Sequence, residues 1–330
     1  MKIRRSCNLA KLYAGPHHPI LANSPELLFL QAVCSGLYDD AVSLFREKKM
    51  FGDALPVVDS PYGRYTGLCE IREFAQNWLG TFNASTASVV PVIQTRANGR
   101  SVSEVVVNFV VDGEIEQVPM FVVGDLRTAD SLEEIRIYCY YKYVPGLTPY
   151  RRPMFESSHK EAGDPELLSG AVKEYYTALH QMPNADVDRI LGVMGKNCVF
   201  GGYGFLEGTE QEAATPEELR AQFEHISSYM PSCVAIRFEK ITDDNKTCVI
   251  EWVHVISEKG QKELSRIGMS GIAAYERDDE GLICAFRICD YAFQEPFIDW
   301  SKVPVSKESA MNFNLVKEFP STVGQKSLNK

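Results

Sequence analysis

The sequence predicts an α+β protein of two tandem domains, each with about three helices packed on a curved antiparallel sheet. Three observations lead there. Two stretches end on near-identical segments, Ile135-Arg136-Ile137-Tyr138-Cys139-Tyr140 and Phe286-Arg287-Ile288-Cys289-Asp290-Tyr291. Both stretches open on Pro-Glu-Leu-Leu, at Pro25 and at Pro165. Between these marks helix-period segments come first and β-branched runs follow, a segregation that gives α+β layers.

The first helix of each domain is read from its apolar stripe: Leu27, Leu30, Cys34 and Leu37 in one, Leu168, Val172, Tyr175, Tyr176 and Leu179 in the other. A short second helix is expected over 41–46 and over 187–194. A glycine and aromatic loop follows, Tyr62-Gly63-Arg64-Tyr65-Thr66-Gly67 against Gly201-Gly202-Tyr203-Gly204-Phe205. The third helices align best, Glu70-Ile71-Arg72 with Glu218-Leu219-Arg220, and Thr215-Pro216-Glu217-Glu218 is a helix start with proline in the first turn.

Strands then take over. Residues 105–111 and 248–256 are rich in β-branched side chains and run into the polar turns Asp112-Gly113 and Glu258-Lys259-Gly260. Further strands are expected at 120–123 and 134–141, and at 268–275 and 282–292. The resulting division is a tail over 1–24, a first domain over 25–143, a linker with proline and Arg151-Arg152 over 144–164, a second domain over 165–300 and a tail over 301–330.

Composition narrows the function. A chain of 330 residues with 45% hydrophobic and 24% charged residues can bury two cores. A net charge of −10, with basic residues only in short clusters, speaks against nucleic-acid binding. Nine cysteines without CxxC pairing fit free thiols in a reducing compartment. No signal-peptide core and no membrane-length apolar run is present, so a cytoplasmic protein without a membrane partner is expected. Gly201-Gly202-Tyr203-Gly204 lacks the context of a dinucleotide loop, and His17-His18 has no partners at metal-ligand spacing. A cofactor-free, metal-free protein is the simplest expectation.

Tyr175-Tyr176-Thr177-Ala178-Leu179, Asp186-Val187-Asp188, Glu217-Glu218-Leu219 and the Phe286-Arg287-Ile288-Cys289-Asp290-Tyr291 strand carry a resemblance to the nuclear transport factor 2-like superfamily, in particular its SnoaL-like branch. The resemblance extends over nearly all of both domains. It implies cone-shaped domains with an apolar cavity, and a function among isomerases, dehydratases and cyclases of hydrophobic molecules or among non-catalytic binding proteins. His180 stands where the family often has an aspartate, which leaves a simple transfer of its tyrosine and aspartate pairing open.

The candidate site lies in the second domain. On a strand, Phe286, Ile288, Asp290 and Ala292 share one face, so Asp290 is a carboxyl in apolar company, where a raised pKa suits proton transfer; an aspartate at an open strand end is the alternative. Ile250, Trp252, His254 and Ile256 share another face, and His254 is either a proton relay or a core histidine. The closest first-domain counterparts are Cys139 for Asp290 and Asn108 for His254. Tyr176, with Tyr175 beside it, is an oxyanion donor or a core residue, only one of the two facing inward squarely. His180 replaces an acid or caps its helix.

These residues define an expected acid–base site: Asp290, His254 and Tyr176 for catalysis, with Tyr175, His180, Trp252, Tyr203 and Ile288 around a hydrophobic, carbonyl-bearing substrate. The first domain would be a degenerate copy. The alternatives are a non-catalytic ligand-binding or assembly module and a partner-binding scaffold; homo-oligomerisation stays open.

Overall fold

The structure, a computed structural model, describes residues 13, 23–45, 55–139, 167–179, 185–203, 213–229, 233–257 and 266–293. The expected linker, the C-terminal tail, His17, His18, His180 and the 258–260 turn lie outside them. The chain forms two compact units, one of His17–Thr148 with Thr322–Lys330, the other of Pro149–Ser321 with Met1–Pro16.

In the first unit the order is α1 (Pro25–Cys34), α2 (Tyr38–Ser43), β1 (Val57–Ser60), β2 (Gly63–Thr66), α3 (Leu68–Thr81), β3 (Thr86–Ala97), β4 (Arg100–Val111), β5 (Glu114–Thr128) and β6 (Ser131–Tyr138). The strands form one sheet in the order β2-β1-β6-β5-β4-β3. In the second unit α4 (Gly170–Leu179), α5 (Val187–Gly192), β7 (Met194–Tyr203), α6 (Pro216–Tyr229), β8 (Cys233–Asp243), β9 (Thr247–Ser257), β10 (Arg266–Arg277) and β11 (Ile283–Phe293) give a sheet in the order β7-β11-β10-β9-β8. Both units are therefore α+β, with three helices each among the described residues.

The sheets are mixed rather than purely antiparallel. β1 runs parallel to β6 and β7 parallel to β11, while every other pair is antiparallel. A parallel neighbour needs a long crossover, and the third helix with the strand meander after it supplies one. Five strands, β1, β2, β3, β7 and β8, escaped the sequence pattern. β3 and β8 are edge strands, so each is polar along much of its length, and β3 carries Pro91 at a register shift, which an edge tolerates. The glycine and aromatic loops are also partly strand: residues 63–66 make β2, and residues 201–203 finish β7.

Local signals account for the helix starts. Thr215 Oγ1 accepts from the Glu218 N–H at 3.2 Å, and Glu218 Oε2 accepts from the Thr215 N–H at 3.0 Å, a reciprocal capping box on α6. Glu70 repeats half of it on α3, where its Oε2 accepts from the Thr66 N–H at 2.7 Å. Between strands, Asp112 and Gly113 both adopt positive φ, the geometry of a tight β4–β5 hairpin turn.

One face of each sheet meets the helices. In the second unit Val172, Tyr175, Tyr176 and Leu179 of α4 and Phe223 of α6 pack with Ile250, Trp252, Ala273, Tyr275 and Phe286 of the sheet in a single buried cluster. The opposite face of each sheet buries an arginine. Arg136 Nη1 lies 2.6 Å from Asp125 Oδ2 and 3.3 Å from Glu134 Oε1. Arg287 Nη1 lies 3.1 Å from Glu276 Oε2, and the Tyr13 ring sits 5.7 Å from its guanidinium carbon.

Candidate functional site

The strand register locates the expected acid–base residues. Asp290 pairs with Gly271, and Gly271 pairs on its other side with Trp252. His254 pairs with Met269, which pairs with Ala292. Residues opposite one another share a face, as do residues two apart. Asp290 and His254 thus belong to the same sheet face as Trp252, Ile250, Ala273, Tyr275, Phe286 and Ile288, the face that packs the helices. They lie two strands apart and two residues offset, roughly 12 Å between Cα atoms for ordinary strand spacing. The residue between Trp252 and Asp290 is a glycine, without a side chain to fill that row.

Tyr176 and Tyr175 reach this face from α4. Both are buried in the same cluster, so the expectation that one of them turns away is corrected: neighbours on a helix are 100° apart, and a broad apolar stripe accommodates both. The Tyr176 and Tyr275 hydroxyl oxygens are 2.7 Å apart. Burial pushes the Tyr275 phenol well above its ordinary range, and the neighbouring Tyr176 and Tyr175 add to the shift. Rings close around the pair, with Tyr175 at 5.3 Å from Phe286 and 6.0 Å from Phe223, and Phe200 at 5.7 Å from Phe223. Trp252 is buried in the cluster, Ile288 is packed against its edge, and Tyr203 ends β7 opposite Cys289.

The two sheets can be compared position by position from their buried arginines. Arg136, Val123, Val102 and Thr95 form one row across the first sheet; Arg287, Ala274, Val249 and Thr242 form the same row across the second. Counting from these rows, His254 corresponds to Val107, and the expected Asn108 is one residue out of register. Asn108 belongs to the other face, where its Oδ1 accepts from Gln117 Nε2 at 3.1 Å. Cys139, buried, keeps the position that corresponds to Asp290.

The sequence reading missed a polar cluster in the first unit. Glu26, in the first turn of α1, is fully buried. Its Oε1 accepts from Ser103 Oγ at 2.6 Å, Ser101 Oγ at 2.8 Å and Gln94 Nε2 at 3.2 Å, while Oε2 has no hydrogen-bond partner among the described residues. A signal existed: Ser101 and Ser103 are polar at a spacing of two, on one face of a strand whose later residues on that face, Val105, Val107 and Phe109, are apolar. Gln222 of α6 was missed as well, a buried amide with neither side-chain polar atom bonded among the described residues. Its helical position beside Phe223 gave no hint.

Among the described residues no group of three His, Cys, Asp or Glu side chains is arranged to hold a metal ion. The seven described cysteines are free, five of them buried, and burial pushes the Cys34 thiol up to about 12. No described helix is long and apolar enough to cross a membrane.

No family model matches the chain, and no curated protein matches it. Solved structures similar to it include a protein of ketosteroid isomerase-like fold from Catenulispora acidiphila, solved with trimethylamine, at 16% identity over 34% of this chain and 83% of that one, TM-score 0.29. Another is an NTF2-like protein from Cytophaga hutchinsonii, at 11% identity over 38% of this chain and 95% of that one, TM-score 0.28. A third is a Mycobacterium tuberculosis protein in complex with estradiol-17β-hemisuccinate, at 18% identity over 38% of this chain and 92% of that one, TM-score 0.30. Each likeness spans about a third of this chain, and the fold itself stands on the strand order and helices described above.

Proposed function

We propose that the second unit is a cofactor-independent acid–base enzyme, an isomerase or a lyase of the dehydratase kind, acting on a hydrophobic small molecule that bears a carbonyl group. One observation supports the reading: by register Asp290 and His254 fall on the sheet face that carries Trp252 and Ile288 and against which Tyr176 packs. The separation of their backbones suits two groups working on either side of a flat ligand, one removing a proton and one returning it, with Tyr176 polarising the carbonyl. Tyr175, Trp252, Tyr203 and Ile288 would line the apolar part, His180 its rim, and the first unit would support the second without chemistry of its own.

Proton removal next to a carbonyl exchanges hydrogen with solvent, so the test needs no knowledge of the product. A panel of hydrophobic ketones in D2O is followed by NMR for protein-dependent deuterium uptake at the α-carbon. Asp290→Asn is expected to abolish the uptake while the fold, checked by circular dichroism, persists. Uptake unchanged in this variant removes Asp290 from the mechanism.

A second reading has its own support. The rings of Tyr175, Tyr275, Phe200, Phe223 and Phe286 pack on one another, which suits a filled core in a ligand-free assembly or binding module. It expects no uptake from any ketone in the panel, whether or not one binds.

A further inference from the structure

The inward stripe of α6 carries an amide with nothing to bond. Leu219, Gln222, Phe223 and Ile226 recur at helical spacing; Leu219 and Phe223 belong to the buried cluster of the second unit, and Ile226 packs against it. Gln222 is 2% exposed, and neither its Oε1 nor its Nε2 has a hydrogen-bond partner among the described residues. The first unit shows what this position holds when packing alone decides. Glu70 and Glu218 each accept from the N–H four residues before them, and Arg72 and Arg220 each pair with an aspartate of the preceding helix, which sets α3 and α6 in register. Gln222 then corresponds to Phe74, a buried ring 5.2 Å from Tyr65 and 5.2 Å from Trp78, and Phe223 corresponds to Ala75. An amide in the place of that ring costs stability at both of its stranded atoms. A ligand that supplies both partners at once recovers the loss.

We propose that Gln222 is a ligand-recognition residue of the second unit, and that the ligand is a hydrophobic ketone that also carries an amide edge, a lactam or a carboxamide. Such an edge presents a C=O acceptor and an N–H donor side by side, so Nε2 donates to its oxygen while Oε1 accepts from its N–H. The proposal rests on the reading above that this unit takes a hydrophobic small molecule, and it adds the element that selects among such molecules. A site whose buried polar groups are left unpaired by the wrong ligand rejects that ligand.

Two matched compounds isolate the amide edge: 2-tetralone, and its lactam analogue in which N–H replaces the CH2 between the aromatic ring and the carbonyl. NMR titration of the full chain is expected to show the lactam bound about tenfold more tightly than the ketone. The side-chain NH2 signals of Gln222 should move with the lactam and stay in place with 2-tetralone. Gln222→Met keeps the length of the side chain and removes both polar atoms, so the preference is expected to vanish while 2-tetralone still binds. Ketone and lactam bound alike by the wild type, or a preference that survives in Gln222→Met, overturns the assignment and leaves the small-molecule reading intact. A wild-type chain that binds neither compound overturns both. Urea denaturation without ligand is a second check: Gln222→Met strands no polar atom and is expected to raise the midpoint. A midpoint that falls means that the amide is already satisfied in the free protein, and the proposal fails.

Discussion

Where the first sheet has Gly124, the second has Tyr275, and the residues around them differ as a set. Ser101, Ser103 and Gln94 on the helix-facing side of the first sheet correspond to Cys248, Ile250 and Ile241 of the second. The first set holds a buried carboxylate from α1; the second holds two phenols and a cage of rings. On the opposite faces the pattern is shared: Arg136 with Asp125 and Arg287 with Glu276 are ion pairs at the same register. Arg72 of α3 with Asp39 of α2 is likewise matched by Arg220 of α6 with Asp188 of α5. Close packing explains the contrast: an interior patch changes only as a group, because each replaced side chain alters the volume left to its neighbours.

The largest difference between the sheets should appear on the shared face. Arg136 neutralises two carboxylates, Asp125 and Glu134, and Arg64 and Arg100 complete the network at 3.2 Å from Asp59 and 2.5 Å from Asp125. Arg136→Ala leaves the partly buried Asp125 and the buried Glu134 with only Arg100 and Arg64 beside them and is expected to cost about 3–5 kcal/mol in urea denaturation. Arg287→Ala leaves Glu276 and should cost about 3 kcal/mol, the lower end of the same range. Equal losses would mean that the second carboxylate adds nothing.

The same network sets the response to acid. Burial alone would raise the Asp125 carboxyl, but the charges of Arg136 and Arg100 and their hydrogen bonds outweigh it and hold the group well below its ordinary 3.8. A carboxyl held low in the folded state contributes stability at pH above its unfolded value and loses it as pH falls toward the folded one. Wild-type stability should therefore drop as pH falls below about 4, and Arg136→Ala should flatten that slope. Denaturation curves collected at pH values from about 3 to about 7 check it.

A third prediction probes the helix-facing side. A Cβ on Gly124 would lie 2.9 Å from both Glu26 Cβ and Leu132 Cδ2, closer than carbon atoms pack. Gly124→Ala should cost about 1–3 kcal/mol, and removing the opposing Cβ with Glu26→Gly in the same chain should recover part of it. If the double variant is no better than the sum of the singles, Gly124 is not there to admit Glu26.

How much of this the sequence disclosed depends on how local each signal is. The α3 and α6 starts were legible because a cap is written within four residues, as Thr215 to Glu218 show. The paired terminal strands were legible because Arg136 and Arg287 sit in like surroundings. The edge strands β3 and β8 were not, since Pro91 interrupts the apolar run 89–93 and Arg237, Glu239 and Lys240 break up β8, nor was the parallel neighbour that turns each sheet mixed. Asn108 was set against His254 through a one-residue slip, and in a strand one residue changes the face. Glu26, Gln94 and Ser101 are brought together by three separate elements, and no spacing within the chain announces such a meeting.

The smallest effect separates the two units at their helices. α6 begins on Thr215, whose side chain caps the Glu218 N–H, whereas α3 begins after Gly67 at positive φ, with no side-chain cap. Thr215→Ala should cost about 1 kcal/mol. Gly67 offers no side chain to lose, so α3 must draw its stability from packing, with Ile71, Phe74, Ala75 and Trp78 all buried. The exposed pair of Arg220 and Asp188 is screened by water, and Arg220→Ala should leave stability little changed. Hydrogen exchange at the amides of the α6 first turn distinguishes the two: faster exchange there in Thr215→Ala but not in Arg220→Ala is expected, because only the cap acts on the end of the helix.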